Sequence, residues 1–234
     1  MDCLLQMTNF ALRHGRLEEA ARDYQHAIRS HPGCASAWYN YGNLNERLGK
    51  TAEAEACFRS AVSLAPRQPD FRNNLGNSMR DETARNDEAL HSYSIAIALK
   101  PTFLGARFNK ASLLASMTRL DEALDEYSAL LDHDPSYRQA RVARGNAYLA
   151  GEQLDLAERD YRDVLLSDPR SVSELNNLCL VLHRLDRLSE ALSTCRAAIT
   201  ADPTHAWSCY NIGVTQVRHS YIVYTCRRLI DLSL

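Results

Sequence analysis

The chain has 234 residues, 45% of them hydrophobic and 24% charged, with 27 basic side chains against 29 acidic ones. So balanced a charge supplies no global field toward nucleic acid or an anionic membrane surface. No apolar stretch approaches the roughly 20 residues that span a bilayer, and the opening MDCLLQMTNF lacks the layout of a secretory signal.

Six of the seven prolines, Pro32, Pro66, Pro101, Pro135, Pro169 and Pro203, lie 34, 35, 34, 34 and 34 residues apart. An alanine series (Ala20, Ala54, Ala89, Ala123, Ala157, Ala191) keeps step with them. So does a ring series (Tyr24, Phe58, Tyr93, Tyr127, Tyr161), closed by Cys195. Such self-similarity marks a stack of near-identical units. Units are expected at about 1–34, 35–68, 69–103, 104–137, 138–171 and 172–205, with a partial unit from 206 and a divergent tail at 217–234.

In the second unit, AWYNYGNLNERLG predicts a first helix with Trp38, Tyr41, Gly42 and Asn45 on one face. AEAEACFRSAVSLAP predicts a second helix with Ala54, Phe58, Ala61 and Val62 on one face. Gly49 suits a left-handed residue closing the first helix, and Pro66 stops the second. Small Gly42 and Ala54 let the two helices approach, with Phe58 filling the space beside them. In the third unit an extra residue must lie between Gly76 and Ala89, in or near the turn RDETARND, where a longer loop adds little closure entropy. The small-residue slot runs Thr8, Gly42, Gly76, Ala111, Gly145, Cys179, Gly213. The seven cysteines show no CxxC spacing, and Cys179 and Cys195 occupy repeat slots. They are expected to be buried, reduced thiols acting as small hydrophobes, in a cytoplasmic or nuclear compartment.

These residues resemble the tetratricopeptide repeat (TPR) family, whose pattern is met most fully by Trp38, Tyr41, Gly42, Ala54, Phe58, Ala61 and Pro66. The resemblance covers about residues 1–216. It implies an all-α fold, a right-handed α-solenoid of stacked antiparallel helical hairpins, or TPR superhelix. First helices would line a concave groove that holds a protein or peptide partner.

Two asparagine ladders follow on the face opposite the packing stripe: Asn40, Asn74, Asn109, Asn177 and Asn211, and three residues later Asn9, Asn43, Asn77 and Asn146. An amide row offers donors and acceptors to the backbone of an extended peptide, with Tyr39, Phe108, Trp207 and Tyr210 as apolar contacts. The ladders resemble those in the repeat region of O-linked N-acetylglucosamine transferases. In the family, asparagines at these positions also cap or cross-link neighbouring hairpins. The resemblance argues against a chaperone carboxylate clamp, because Leu5, Tyr39, Asn73, Phe108 and Val142 stand where its first lysine would sit. Arg72, Arg107 and Arg141 replace Trp38 or Leu175, while Lys110 and Arg144 enter an otherwise apolar slot. Either they form a basic strip, or their stems pack and their heads reach water or carboxylates, as preferred here.

No nucleophile elbow, zinc-protease helix, phosphate loop or dinucleotide fingerprint occurs. Asp132, His133 and Asp134 fall at a helix end before Pro135, a setting repeated without histidine at Asp168 and Asp202. The expectation is therefore a non-enzymatic scaffold or adaptor, with no cofactor, metal, nucleic acid or membrane. The alternative is a substrate-recruiting repeat fragment of a larger enzyme such as a glycosyltransferase. The abrupt start and the absence of a legible terminal cap lean toward a piece of a longer protein.

Overall fold

The computed structural model describes residues 16–80, 83–205, 207–208, 210–218 and 220. Among them the helices are α1 (Leu17–Ser30), α2 (Ala35–Arg47), α3 (Thr51–Leu64), α4 (Pro69–Met79), α5 (Asn86–Leu99), α6 (Leu104–Ser116), α7 (Leu120–His133), α8 (Arg138–Ala150), α9 (Leu154–Ser167), α10 (Val172–Arg184) and α11 (Leu188–Ala201), with a 3-10 turn at Thr83–Arg85. Those of residues 207–218 that are described are helical as well, which carries helix past the expected array boundary at 216. The expected divergent tail beyond Ser220, and Thr8 and Asn9, lie outside the described residues. The chain divides into two compact units, Met1–Leu114 and Ala115–Leu234.

Second helices end one residue before an aspartate, alanine, lysine or histidine that precedes each grid proline, whose missing N–H and bulky ring cannot continue the ladder. Pro69, the one off the grid, opens α4, where a proline lacks nothing the helix needs. The short turn between α2 and α3 places Gly49 at φ 72°, the left-handed conformation expected of it. Thr118, Glu152 and Asp186 adopt the same conformation in the corresponding turns at φ 59°, 60° and 63°. The extra residue of the third unit is absorbed between Met79 and Asn86, by an earlier end of α4 and the 3-10 turn.

The second, third and fifth hairpins close on a glycine facing a ring. A Cβ added at Gly42 would lie 2.6 Å from Phe58 Cε1, one at Gly76 2.6 Å from Tyr93 Cε1, and one at Gly145 3.0 Å from Tyr161 Cε1. Phe58, Tyr93 and Tyr161 are wholly buried, as are Ala54, Ala89 and Ala157 of the alanine series. Burying rings of this size is the main apolar stabilisation available to a small hairpin.

In the sixth hairpin the arrangement differs. Cys179 and Cys195 are joined by a disulfide, with Cα atoms 5.4 Å apart, so these two are not the reduced thiols expected of them. The reason lies in the repeat register: the small slot and the ring slot face each other at Gly42 and Phe58, at Gly76 and Tyr93 and at Gly145 and Tyr161, so cysteines in both slots meet. Cys34 and Cys57 are free thiols.

Successive second helices are tied by matching ion-pair clusters. In the first unit Glu55 of α3 receives Arg85 at 2.6 Å and Arg59 at 2.7 Å, and Arg59 reaches Glu88 of α5 at 3.1 Å. In the second unit Glu158 of α9 receives Arg187 at 2.6 Å and Arg162 at 2.7 Å, and Arg162 reaches Glu190 of α11 at 3.1 Å. Arg85 and Arg59 hold the Glu55 carboxyl down at about 2, against partial burial.

Candidate functional site

The two asparagine ladders pair with each other. Asn74 of α4 donates its amide N–H groups to Asn43 Oδ1 of α2 at 2.7 Å and to the Tyr39 hydroxyl at 3.1 Å. Asn109 of α6 donates to Asn77 Oδ1 of α4 at 3.0 Å and to Asn73 Oδ1 at 3.0 Å. In the second unit Asn177 of α10 donates to Asn146 Oδ1 of α8 at 3.1 Å. Each bond joins one first helix to the next, the cross-linking role open to these positions. Ring hydroxyls enter the same nodes from the second helices: Tyr93 donates to Asn77 Oδ1 at 2.8 Å and Tyr161 to Asn146 Oδ1 at 2.7 Å. Phe58 has no hydroxyl to do so at Asn43.

The members of these nodes differ in what the pairing leaves over. An asparagine carries two donors and one two-sided acceptor. The pairing uses the carbonyls of Asn43, Asn77 and Asn146, and it uses donors of Asn74, Asn109 and Asn177. Asn74 also accepts from Asn73 at 3.1 Å, so it has the least left over. Asn43, Asn74, Asn77, Asn109 and Asn177 are half-buried and Asn146 is exposed.

The remaining expected site residues divide. Asn40 is half-buried on α2, and its ladder partner Asn9 lies outside the described residues. Asn211 is buried, and its amide nitrogen has no partner, because Leu180 stands where Asn146 and Asn77 stand in earlier hairpins. Tyr39 is half-buried: its ring stacks on Phe71 at 4.6 Å, and burial raises its hydroxyl pKa. Phe108 is half-buried on α6. Trp207 and Tyr210 are the most open of the expected aromatics, stacked on each other at 5.2 Å and each more than half exposed. With Val214 and Val217, also exposed, they form an apolar stripe on the helix after α11.

Asn73 and Asn176 share the repeat slot of Tyr39 and take part in the same seams. Asn176, almost fully buried, donates to Ser208 Oγ at 2.8 Å, attaching the helix after α11. Their slot is held by Tyr39, Phe108, Val142 and Tyr210 in other units, so no ladder of like residues exposes them in the sequence.

Two of the arginines are accounted for by carboxylates. Arg144 makes a two-pronged pair with buried Asp160 at 2.7 and 2.8 Å, and Arg141 reaches Asp163 at 2.9 Å. Arg141 also donates to the Pro135 carbonyl at 2.5 Å, the bond that Trp38 makes to the Pro32 carbonyl at 3.0 Å. An arginine can therefore replace tryptophan in this slot, because both present an N–H at the end of a long apolar stem.

The tetratricopeptide repeat family model matches residues 10–77, 81–138 and 142–206. This chain belongs to the tetratricopeptide repeat family. Its α-solenoid fold of stacked helical hairpins is shared with solved members. Among these are PilW, a type IV pilus biogenesis factor (TM-score 0.75, 19% identity, 89% of this chain and 96% of that one), and a tetratricopeptide repeat protein of Parabacteroides merdae (TM-score 0.74, 17% identity, 94% and 86%). YrrB, described as having an unusual peptide-binding site, matches with a TM-score of 0.56 and 22% identity over 88% of this chain and 89% of that one.

Curated relatives match over shorter stretches. The peroxisomal targeting signal receptor of Kluyveromyces lactis is 42% identical over 67 residues, 29% of this chain and 11% of the relative. The protein O-mannosyl-transferase Tmtc3 of Drosophila melanogaster is 32% identical over 119 residues, 45% of this chain and 13% of the relative. The chain thus spans only about a tenth of the length of these relatives. Tetratricopeptide repeats are protein–protein interaction modules, and that is the class of function the family assigns. No helix among the described residues is long and apolar enough to cross a membrane.

Proposed function

We propose that this tetratricopeptide array is a non-enzymatic adaptor that holds an extended peptide segment of a partner protein along the asparagine-bearing face of its first helices. The observation that carries this reading is the half-used amide row. Pairing across the seams orients Asn77 and Asn146 through their carbonyls, which leaves their N–H groups as donors to a peptide carbonyl, while the Asn43 amide also bonds the Tyr39 hydroxyl. A row of preorganised donors binds backbone at low entropic cost. Asn40, Asn109, Asn177 and Phe108 border the same face in their own units, with Trp207 and Tyr210 as its apolar end in the second unit. The peptide-binding site named for YrrB and the targeting-signal role named for the Kluyveromyces receptor are consistent with such a partner.

A photo-crosslinking amino acid placed in turn at Asn40, Asn146 and Ser63, the last exposed on second helix α3, tests the reading. Capture of one partner from Asn40 and Asn146 but not from Ser63 is expected. Capture only from Ser63 would move the binding face to the second helices and defeat the model.

A second reading is favoured by the match to an O-mannosyl-transferase over 119 residues. The array would then recruit substrate for a transferase domain carried elsewhere on a longer chain. Full-length transcript sequence with such a domain in frame is what this reading requires.

A further inference from the structure

We infer that the Cys179–Cys195 pair is a redox lock on the sixth hairpin, setting how firmly α10, α11 and the helix after them hold together.

The inference starts from a coordinated change. In the third and fifth hairpins one node has three members: a glycine, a tyrosine facing it, and an asparagine that accepts the tyrosine hydroxyl. These are Gly76, Tyr93 and Asn77, then Gly145, Tyr161 and Asn146. In the sixth hairpin all three are replaced: Cys179 for glycine, Cys195 for tyrosine, Leu180 for asparagine. The polar node has become a covalent one, and the disulfide closes it. Both cysteines are 0% exposed and sit in one apolar cluster with Leu178, Val181, Leu182 and Ala191.

When the bond is open, the site has neither a ring to fill the hairpin nor a hydroxyl-to-amide bond across it. Once unbonded, the two sulfurs must also move apart from bonding distance toward van der Waals contact in a fully buried cluster, and that crowding, together with the lost covalent tie, lets the hairpin open more readily. Ile212 of the following helix packs against this same cluster. Loosening the hairpin therefore also loosens the seat of that helix, which carries the exposed Trp207 and Tyr210.

The chemistry needs only a low-molecular-weight disulfide such as oxidised glutathione. The thiolate of one cysteine attacks a glutathione sulfur and expels one glutathione thiolate. The second cysteine then attacks the mixed disulfide and expels the other, each expelled thiolate taking up the proton its attacker gave up. One protein disulfide forms, two protein thiols are oxidised, and one glutathione disulfide is reduced to two thiols. Because both sulfurs are buried, either direction of exchange waits on an opening of the hairpin.

The test uses the whole chain equilibrated with oxidised glutathione or with dithiothreitol, alkylated, and digested with trypsin without reduction. The oxidised sample should yield residues 171–184 linked to residues 188–196, and the reduced sample should yield both alkylated. Amide hydrogen exchange in 188–201 and 207–218 should be about a hundredfold faster in the reduced sample, the order expected when a covalent loop spanning 16 positions is opened. Exchange in α2 and α3 should be the same in both. The double variant Cys179→Gly with Cys195→Tyr should lose the redox dependence in 188–218. The inference is overturned if Cys179 or Cys195 links to another cysteine, or if no link forms. It is equally overturned if the linked and reduced chains exchange alike.

Discussion

Asn77 Oδ1 accepts two hydrogen bonds at once, from the Tyr93 hydroxyl of its own hairpin at 2.8 Å and from Asn109 of the next first helix at 3.0 Å. One side chain thereby fixes both the closure of a hairpin and its register on its neighbour. Replacing it with alanine strands two donors, each costing roughly 1–3 kcal/mol if water does not replace the partner. Asn77→Ala should lower the urea midpoint of unfolding more than Asn43→Ala, because Phe58 brings no hydroxyl to Asn43. Equal losses in the two variants would show that the ring hydroxyl contributes nothing.

The glycine-to-ring contacts rank the hairpins by tightness. Gly76→Ala would set a methyl 2.6 Å from Tyr93, whereas Gly145→Ala would set one 3.0 Å from Tyr161. The first should lose about 1–3 kcal/mol, as overpacked cores do, and the second less. Gly33→Ala, with nothing within 4 Å, should change the thermal midpoint little and serves as the control.

Asp160 is 2% exposed, and its carboxylate is held by both prongs of Arg144. Arg144→Leu leaves a buried charge without its partner and should destabilise by roughly 3–5 kcal/mol. Changing both residues to leucine should recover most of that loss, since removing both charges also removes their desolvation. Chemical denaturation of the two variants beside the parent measures the difference.

The fold around His183 should respond to mild acid. Burial, and then the neighbouring Arg218, push the His183 pKa below its ordinary 6.5, with Asp186 opposing. The folded chain therefore binds this proton less readily than the unfolded one. Its share of stability is complete above 6.5 and is lost as pH falls through 6.5 toward the lower folded value. His183 touches Thr215 and Arg218, so hydrogen exchange in 207–218 should quicken over that window, and His183→Gln should flatten the response. Glu55, held at about 2, contributes above its ordinary 4.5 and loses its share only in stronger acid.

Thr118 is β-branched and sits at φ 59°, in the slot that Gly49 fills at φ 72°. A left-handed backbone strains a branched side chain by about 1–2 kcal/mol, partly offset by the entropy that glycine loses on folding. Thr118→Gly should raise the melting midpoint of the chain slightly, by roughly 0.5–1 kcal/mol in stability. A lower midpoint would mean that the turn does not strain Thr118.

Much of this protein follows from residue spacing alone. Proline stops, a left-handed Gly49, small slots facing rings and an insertion before Asn86 are local or periodic features. Each depends on backbone sterics or helical phase, which a sequence records directly. The asparagine rows were legible as rows, but their use was not. Whether Asn109 faces a peptide or Asn77 depends on side-chain direction between residues 32 positions apart, and spacing leaves both open. Tyr39 reads as a groove aromatic, and spacing gave no sign of Phe71 stacked on it. The cysteines were the sharpest divergence. Two residues 16 apart, each standing alone in its own repeat slot, become a bond only once the two slots are seen to face each other. Sequence determined the repeating scaffold because self-similar units must pack alike. Tertiary structure decided which polar and sulfur atoms meet, because those contacts are set between helices.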